Sequence, residues 1–241
     1  MSFWNIIDHD RMLKIILTEV GWVIDGWLKG RPLDEVALMN RLTGMLARQR
    51  RGCDVGILMP VEVKCRVFHL HRQGTKQTDK YGSDLAVTIF TDEDILKKTV
   101  FFQLKKSTNL STILDKQQVD DAMLDYMVAD RAFVCTVDDT RYCVRLQSVK
   151  DIDRLFKVNQ RQQTFDTYEW FSLSQFLSRW MECQLGPNSY PDDPNSIERL
   201  LEEFAIDNVT GTLWGSETGY DLPDDFLPAK AWLQAEVIKR L

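Results

Sequence analysis

Three side chains near the middle of the sequence have types and a spacing suited to handling a phosphate ester. They are Asp84, in the run Tyr81-Gly-Ser-Asp-Leu-Ala-Val-Thr-Ile-Phe90, and Gln103 and Lys105, in the run Thr99-Val-Phe-Phe-Gln-Leu-Lys-Lys-Ser107. A carboxylate and an amide oxygen are hard donors of the kind a divalent cation such as Mg²⁺ takes while keeping several waters. A lysine beside them can orient a water or, as the neutral amine, help deprotonate it, and as the ammonium offset charge in the transition state. In a β-strand, residues two apart share a face, so Phe101, Gln103 and Lys105 point one way and Phe102 and Leu104 the other. On the preceding run Leu85, Val87 and Ile89 pack on one side, while Asp84 leads the other. If the two runs form a hairpin, Asp84 meets the far end of its partner, next to Gln103 and Lys105. The main-chain carbonyl of Leu104 supplies a further oxygen there.

The flanking sequence shows what must hold these residues in place. Apolar residues recur at helical spacing from Phe3 to Leu28, and Gly30 is a stop signal. Pro32, Asp34 and Glu35 open a second helix whose apolar stripe is Leu38, Met39, Leu42, Met45 and Leu46; Glu35 lies on or beside its buried face. Arg48, Arg50 and Arg51 close it, as a solvated helix end or as a phosphate contact. Runs over 61–70, 84–90 and 99–104, rich in Val, Phe, Ile and Thr, predict strands. Helical spacing returns over 111–127, followed by strand composition at 131–137 and 142–146. Helices, strands, a helix and two more strands imply an α/β fold, a mixed central sheet flanked by helices. The character changes after residue 157. Residues 158–167 are polar, 171–185 form an amphipathic helix, 187–194 a Pro-rich loop, and two more helices follow at 196–204 and 228–241. The expected organisation is an α/β core over 1–157 with a helical C-terminal extension over 158–241.

The combination of Asp84 with Gln103 and Lys105 resembles the PD-(D/E)xK, or restriction-endonuclease-like, nuclease superfamily, in the variant whose second acidic residue is glutamine. Tyr81-Gly-Ser-Asp84, Phe102-Gln-Leu-Lys-Lys106 and the helix bearing Glu35 and Leu42-Thr43 also resemble stand-alone bacterial nuclease-like proteins, some of which serve in phage defence. The likeness spans residues 30–147, with Gln103 in place of an acid and with Ser83 and Leu104 in place of alanines. It implies a restriction-endonuclease-like core and an endonuclease that uses Mg²⁺ or Mn²⁺ to hydrolyse phosphodiester bonds, of DNA. It assigns catalytic roles to Asp84, Gln103, Lys105 and Glu35, with Asp84, Gln103 and Glu35 as metal ligands. It also suggests that two copies pair. The alternative is a nuclease-fold interaction protein without catalysis, acting as a subunit of a larger complex.

Composition bounds these readings. Hydrophobic residues at 44% and charged residues at 27% suit a globular protein, and no stretch approaches the roughly 20 apolar residues of a membrane span. The amino terminus lacks the pattern of a secretion signal, so the cytoplasm is expected. Five cysteines without a CxxC pair argue against a disulfide framework or zinc knuckle. A net charge of −6 has the wrong sign for bulk attraction to nucleic acid, so DNA contacts must come from a local patch or a partner. Arg72, Lys76 and Lys80, in the loop just before Asp84, together with Lys106, are the expected nucleic-acid contacts; Lys116 would add to the patch, and Gln117 and Gln118 face either phosphate or solvent. His69 and His71 flank Leu70 without a third ligand nearby, which favours exposed strand histidines over a metal pair. Trp170, Trp180, Trp214 and Trp232 suggest core packing in the extension, whose helices would meet a protein partner or another copy. A GxxxxGK loop and a GxSxG elbow are both absent, removing the common nucleotide-hydrolase and serine-hydrolase readings.

Overall fold

The computed structural model describes residues 63–70, 80–91, 97–138, 140–141, 143–181, 184–185, 201 and 207–214. The two amino-terminal helices with Glu35, the loop with Arg72 and Lys76, His71, the Pro-rich loop and the segment 228–241 lie outside these residues.

Three antiparallel strands come first: β1 (Val63–His69), β2 (Leu85–Thr91) and β3 (Lys97–Ser107), with Val67 opposite Val87 and Leu85 opposite Phe102. β3 outruns β2, and its polar end projects past the start of that strand. A helical layer then returns the chain. It comprises α1 (Lys116–Met123) and the single turn α2 (Tyr126–Ala129), and it delivers β5 (Ala132–Asp138) parallel to β3. β6 (Cys143–Ser148) runs antiparallel to β5, followed by α3 (Val149–Leu155). The sheet is completed by β8 (Phe171–Ser172) on β6 and β9 (Asp207–Trp214) on β1, giving the order β8-β6-β5-β3-β2-β1-β9. One parallel pair in an otherwise antiparallel sheet makes it mixed, as expected.

Each face has its own cover. Phe101, Ala132 and Val134 share a buried cluster with Val119 and Ala122 of α1, Val128 of α2, and Val149 and Ile152 of α3. The opposite face presents Phe102 and Phe133, whose rings meet Phe176 edge-on at centroid distances of 5.7 and 4.9 Å. Phe176 belongs to α4 (Leu173–Met181), and Lys98 on β3 donates to the carbonyl of Trp180 at the end of that helix. Burying the aromatic and aliphatic side chains of both faces supplies the main driving force for this layering, about 2–3 kcal/mol for each large residue fully removed from water.

Two expectations need correction. Residues 111–115 form a strand, β4, with Thr112 and Leu114 buried and Ile113 exposed, so the helix begins only at Lys116. The apolar residues Ile113 and Leu114 fit either period, but only the strand alternation lets β4 pair with β7 (Gln162–Asp166). Nor is the chain after 157 wholly helical: it contributes β7 to β4, β8 to β6 and β9 to β1, besides α4. β7 carries one buried residue, Phe165, among polar neighbours, which leaves almost no periodic signal. Asp115 caps α1, accepting from the Gln117 N–H, and Ser148 caps α3 by accepting from Asp151.

Candidate functional site

The site sits where β3 extends beyond β2. The last paired residues of the hairpin are Leu85 and Phe102, so Asp84 comes just before the ladder, at the end of the sheet where β3 continues through Gln103, Leu104 and Lys105. The main chain of Asp84 is pinned on both sides: its N–H donates to Phe102 O at 2.8 Å and its carbonyl accepts from Leu70 N at 2.9 Å. Its carboxylate then extends the ladder, with Oδ2 accepting from Leu104 N at 2.6 Å. A charge-assisted bond of this length fixes the carboxylate against the segment from Gln103 to Lys105. Because the N–H and carbonyl of a strand residue project from the same edge, the Leu104 carbonyl faces the same side as that carboxylate.

A strained turn presents Asp84. Lys80–Gly82 forms a short 3-10 turn in which Tyr81 (φ 57°) and Gly82 (φ 59°) are both left-handed. For a bulky residue such as tyrosine that conformation is a genuine outlier, maintained here by packing of its ring against the buried cluster. Gly82 is needed for a second reason. A Cβ there would lie 2.0 Å from the main-chain oxygen of Gln118, so the turn is seated directly on α1. Ser83, buried, donates its hydroxyl to Tyr81 O at 3.2 Å and closes the turn.

Asp84 is 8% exposed and Gln103 3%, while Lys105 on the same face is half-buried. The Gln103 amide nitrogen is buried without a hydrogen-bond partner among the described residues. Such a group is costly unless another species completes it. No cluster of three His, Cys, Asp or Glu side chains occurs among the described residues. The oxygen set available is therefore one carboxylate, one side-chain amide and one main-chain carbonyl. These are hard donors of the type Mg²⁺ or Mn²⁺ accepts alongside water, so Asp84, Gln103 and Leu104 O fit a divalent cation by chemistry.

The other residues singled out by type fall elsewhere. Lys106 is exposed and alternates to the face opposite Lys105, so the site gathers Lys105 without it. Lys80 opens the 3-10 turn. Lys116 binds Asp120 and reaches Asp153 at 2.8 Å, tying α1 to α3; its hydrogen bonds to Asp120 and Asp153 raise its pKa. Gln117 is exposed and donates to Asp121 at 2.8 Å. His69 lies in β1 opposite Leu85. Burial pushes the Cys135 thiol up to about 12, which removes it as a nucleophile near neutral pH.

Sequence reasoning missed two buried polar groups at this end of the sheet. Asp138 closes β5, accepting from Ser107 Oγ, Leu110 N, Thr140 N, Thr140 Oγ1 and Arg141 N at 2.6–3.1 Å. Desolvation alone would raise its pKa, but the hydrogen bonds from Thr140, Leu110 and Arg141 outweigh it and hold the carboxyl below its usual range. The signal was the Asp138-Asp139-Thr140 turn composition, legible as an Asx turn. Arg145 is 8% exposed in the middle of β6, and its signal was a charge inside the run Tyr142-Cys-Val-Arg-Leu146.

Compared with protein-family models, curated proteins and solved structures, the chain matches none.

Proposed function

We propose that this protein is a divalent-metal-dependent endonuclease that hydrolyses phosphodiester bonds of DNA. The observation that carries the reading is the 2.6 Å bond from Leu104 N to Asp84 Oδ2, which supports a carboxylate held against the β3 segment that bears Gln103 and Lys105. An antiparallel meander of β1, β2 and β3, a helical return and a parallel β5 are also the arrangement that a restriction-endonuclease-like core would require.

Each residue has a distinct task. Asp84 brings the negative charge and oxygens that hold the cation, assisted by the Gln103 side-chain oxygen and the Leu104 carbonyl. When bound, a divalent cation supplies positive charge against the phosphate oxygens and makes an attacking water more acidic. Lys105, two residues beyond Gln103 on the same strand face, orients that water; as the neutral amine it takes the water's proton, and the ammonium so formed offsets charge on the phosphate as the bond breaks. The neutral Gln103 leaves the site one negative charge short of a two-acid version, so it favours a cation at higher concentration. A setting in bacterial defence against phage, and association with a partner or a second copy, belong to the same proposal.

The test is cleavage of plasmid DNA by purified protein with Mg²⁺ or Mn²⁺, beside Asp84→Asn and Lys105→Ala. The reading expects cutting by the wild type that stops with chelator and falls about 10²-fold or more in each variant. Equal cutting by all three removes the proposed site, and no cutting with intact DNA binding favours the non-catalytic scaffold.

A further inference from the structure

The connection from α3 to β7 is basic, although the chain as a whole carries a net charge of −6. From Leu155 to Phe165 it holds Lys157 and Arg161 and no carboxylate. Both cations are exposed, and among the described residues neither is paired with an acid. The carboxylates on adjoining elements are engaged elsewhere. Asp115 caps α1, Asp151 holds Arg154 at 3.0 Å, and Asp153 holds Lys116 at 2.8 Å.

The connection is held in one shape. Gln160 N donates to Lys157 O at 3.3 Å, closing a turn whose third residue, Asn159, takes the left-handed φ of 66° that asparagine tolerates. Val158 at its tip is 88% exposed, so the turn stands clear of the body. Gln163 braces one side: its Oε1 accepts from Lys157 N at 2.8 Å, and its Nε2 donates to Leu155 O at 3.1 Å. Lys116 N fixes the other side, donating to Arg161 O at 2.7 Å. That bond also ties the turn to the proposed site. Lys116 opens α1 two residues before Gln118, on which Gly82 sits, and Gly82 is two residues before Asp84. Two helical residues advance about 3 Å, a short step beside the roughly 34 Å of one duplex turn.

Charges more than about 10 Å apart are largely screened at 0.1 M salt, so a phosphate arriving at this turn meets the local pair of cations rather than the acidic total. Neutralising phosphates with lysine and arginine releases counterions from DNA. The exposed Gln160 adds an amide donor of the kind that contacts phosphate and sugar. A turn already held in place loses little freedom on binding. We propose that the α3–β7 turn is a DNA-backbone contact, in which Lys157 and Arg161 each hold a phosphate outside the cleavage position. This deepens the nuclease reading and rests on it for the choice of DNA as ligand. Both are positioning residues: they hold the duplex beside α1 and touch no reacting bond.

The experiment measures binding of a fluorescein-labelled DNA duplex by anisotropy in EDTA across a salt series. It compares wild type, the double variant Lys157→Gln with Arg161→Gln, and Lys150→Gln, whose cation is already bound to Asp130. Thermal melting alongside establishes that each variant is folded. The double variant is expected to bind about tenfold more weakly, with the slope of log affinity against log salt reduced by about two and the same loss on unrelated sequences. Lys150→Gln should stay within twofold of wild type. Binding by the double variant within twofold at an unchanged slope overturns the inference, as does an equal loss in Lys150→Gln. A wild type that binds phosphatidylserine vesicles and no duplex overturns it in favour of a membrane surface. The two proposals separate cleanly: weakened binding by the double variant without wild-type cleavage in Mn²⁺ leaves the contact surface and removes the nuclease, and the converse result removes the surface alone.

Discussion

Two carboxylates are buried at the same end of the sheet, on either side of β3, and they are used in different ways. Asp138 is enclosed by five donors from two neighbouring turns, and these hold it ionised and lock β3 to the β5–β6 connection. Asp84 is presented by a left-handed turn seated on α1 and accepts the N–H of Leu104, the residue after Gln103, whose buried amide nitrogen has no partner among the described residues. Saturation by local donors marks a structural carboxylate. Asp84 instead follows a strained turn, and on the proposed reading its carboxylate serves the site.

The sharpest way to break this contrast is to remove each charge while keeping its shape. Asp84→Asn retains an acceptor for Leu104 N, so its stability should change by less than about 1 kcal/mol, while Mn²⁺-dependent cleavage falls about 10²-fold or more. Gly82→Ala is expected to destabilise by roughly 2–4 kcal/mol in urea denaturation, since the added Cβ meets main chain of α1 and the left-handed φ disfavours alanine. Asp138→Ala should cost about 2–3 kcal/mol by stranding buried donors, without a specific effect on cation binding. If Asp138→Ala abolished metal dependence while Asp84→Asn did not, the assignment of the two carboxylates would be reversed.

Acidity separates the two further. The Asp138 carboxyl is held below its unfolded value of about 3.9. Its contribution is thus fully present above that value and is lost as pH falls through the folded pKa. Denaturation curves at pH 7, 4 and 3 should show a weaker acid loss of stability in Asp138→Asn than in wild type. The smallest effect is expected at Lys116, whose partners Asp120 and Asp153 are partly solvated: Lys116→Ala should cost about 0.5 kcal/mol, reduced by salt. Its raised pKa makes that contribution present below about 10.5 and lost as pH rises through the folded value.

How much of this was legible in the sequence follows from the range of each signal. The hairpin of β2 and β3 was readable because apolar alternation and β-branched residues state a period of two. The parallel β5 was readable as an apolar run after a helix. β4 was not, because Ile113 and Leu114 suit both periods and the deciding partner, β7, lies nearly fifty residues on. Gln103 could be read as a candidate ligand but not as an orphaned donor, since burial without a partner is a property of the packed sheet. Arg145 showed only as a charge inside an apolar run; its alignment with Lys105 was hidden, because register across β3, β5 and β6 sets it. The close seat of Gly82 on Gln118 was hidden in the same way, although Tyr-Gly-Ser announces a turn.

The most direct measurement is titration of the protein with Mn²⁺ by calorimetry, in wild type and in Asp84→Ala, both verified as folded by melting. The account predicts a saturable heat in the wild type that disappears when the Asp84 carboxylate is removed. Identical heats in the two proteins, or none in the wild type, would contradict it.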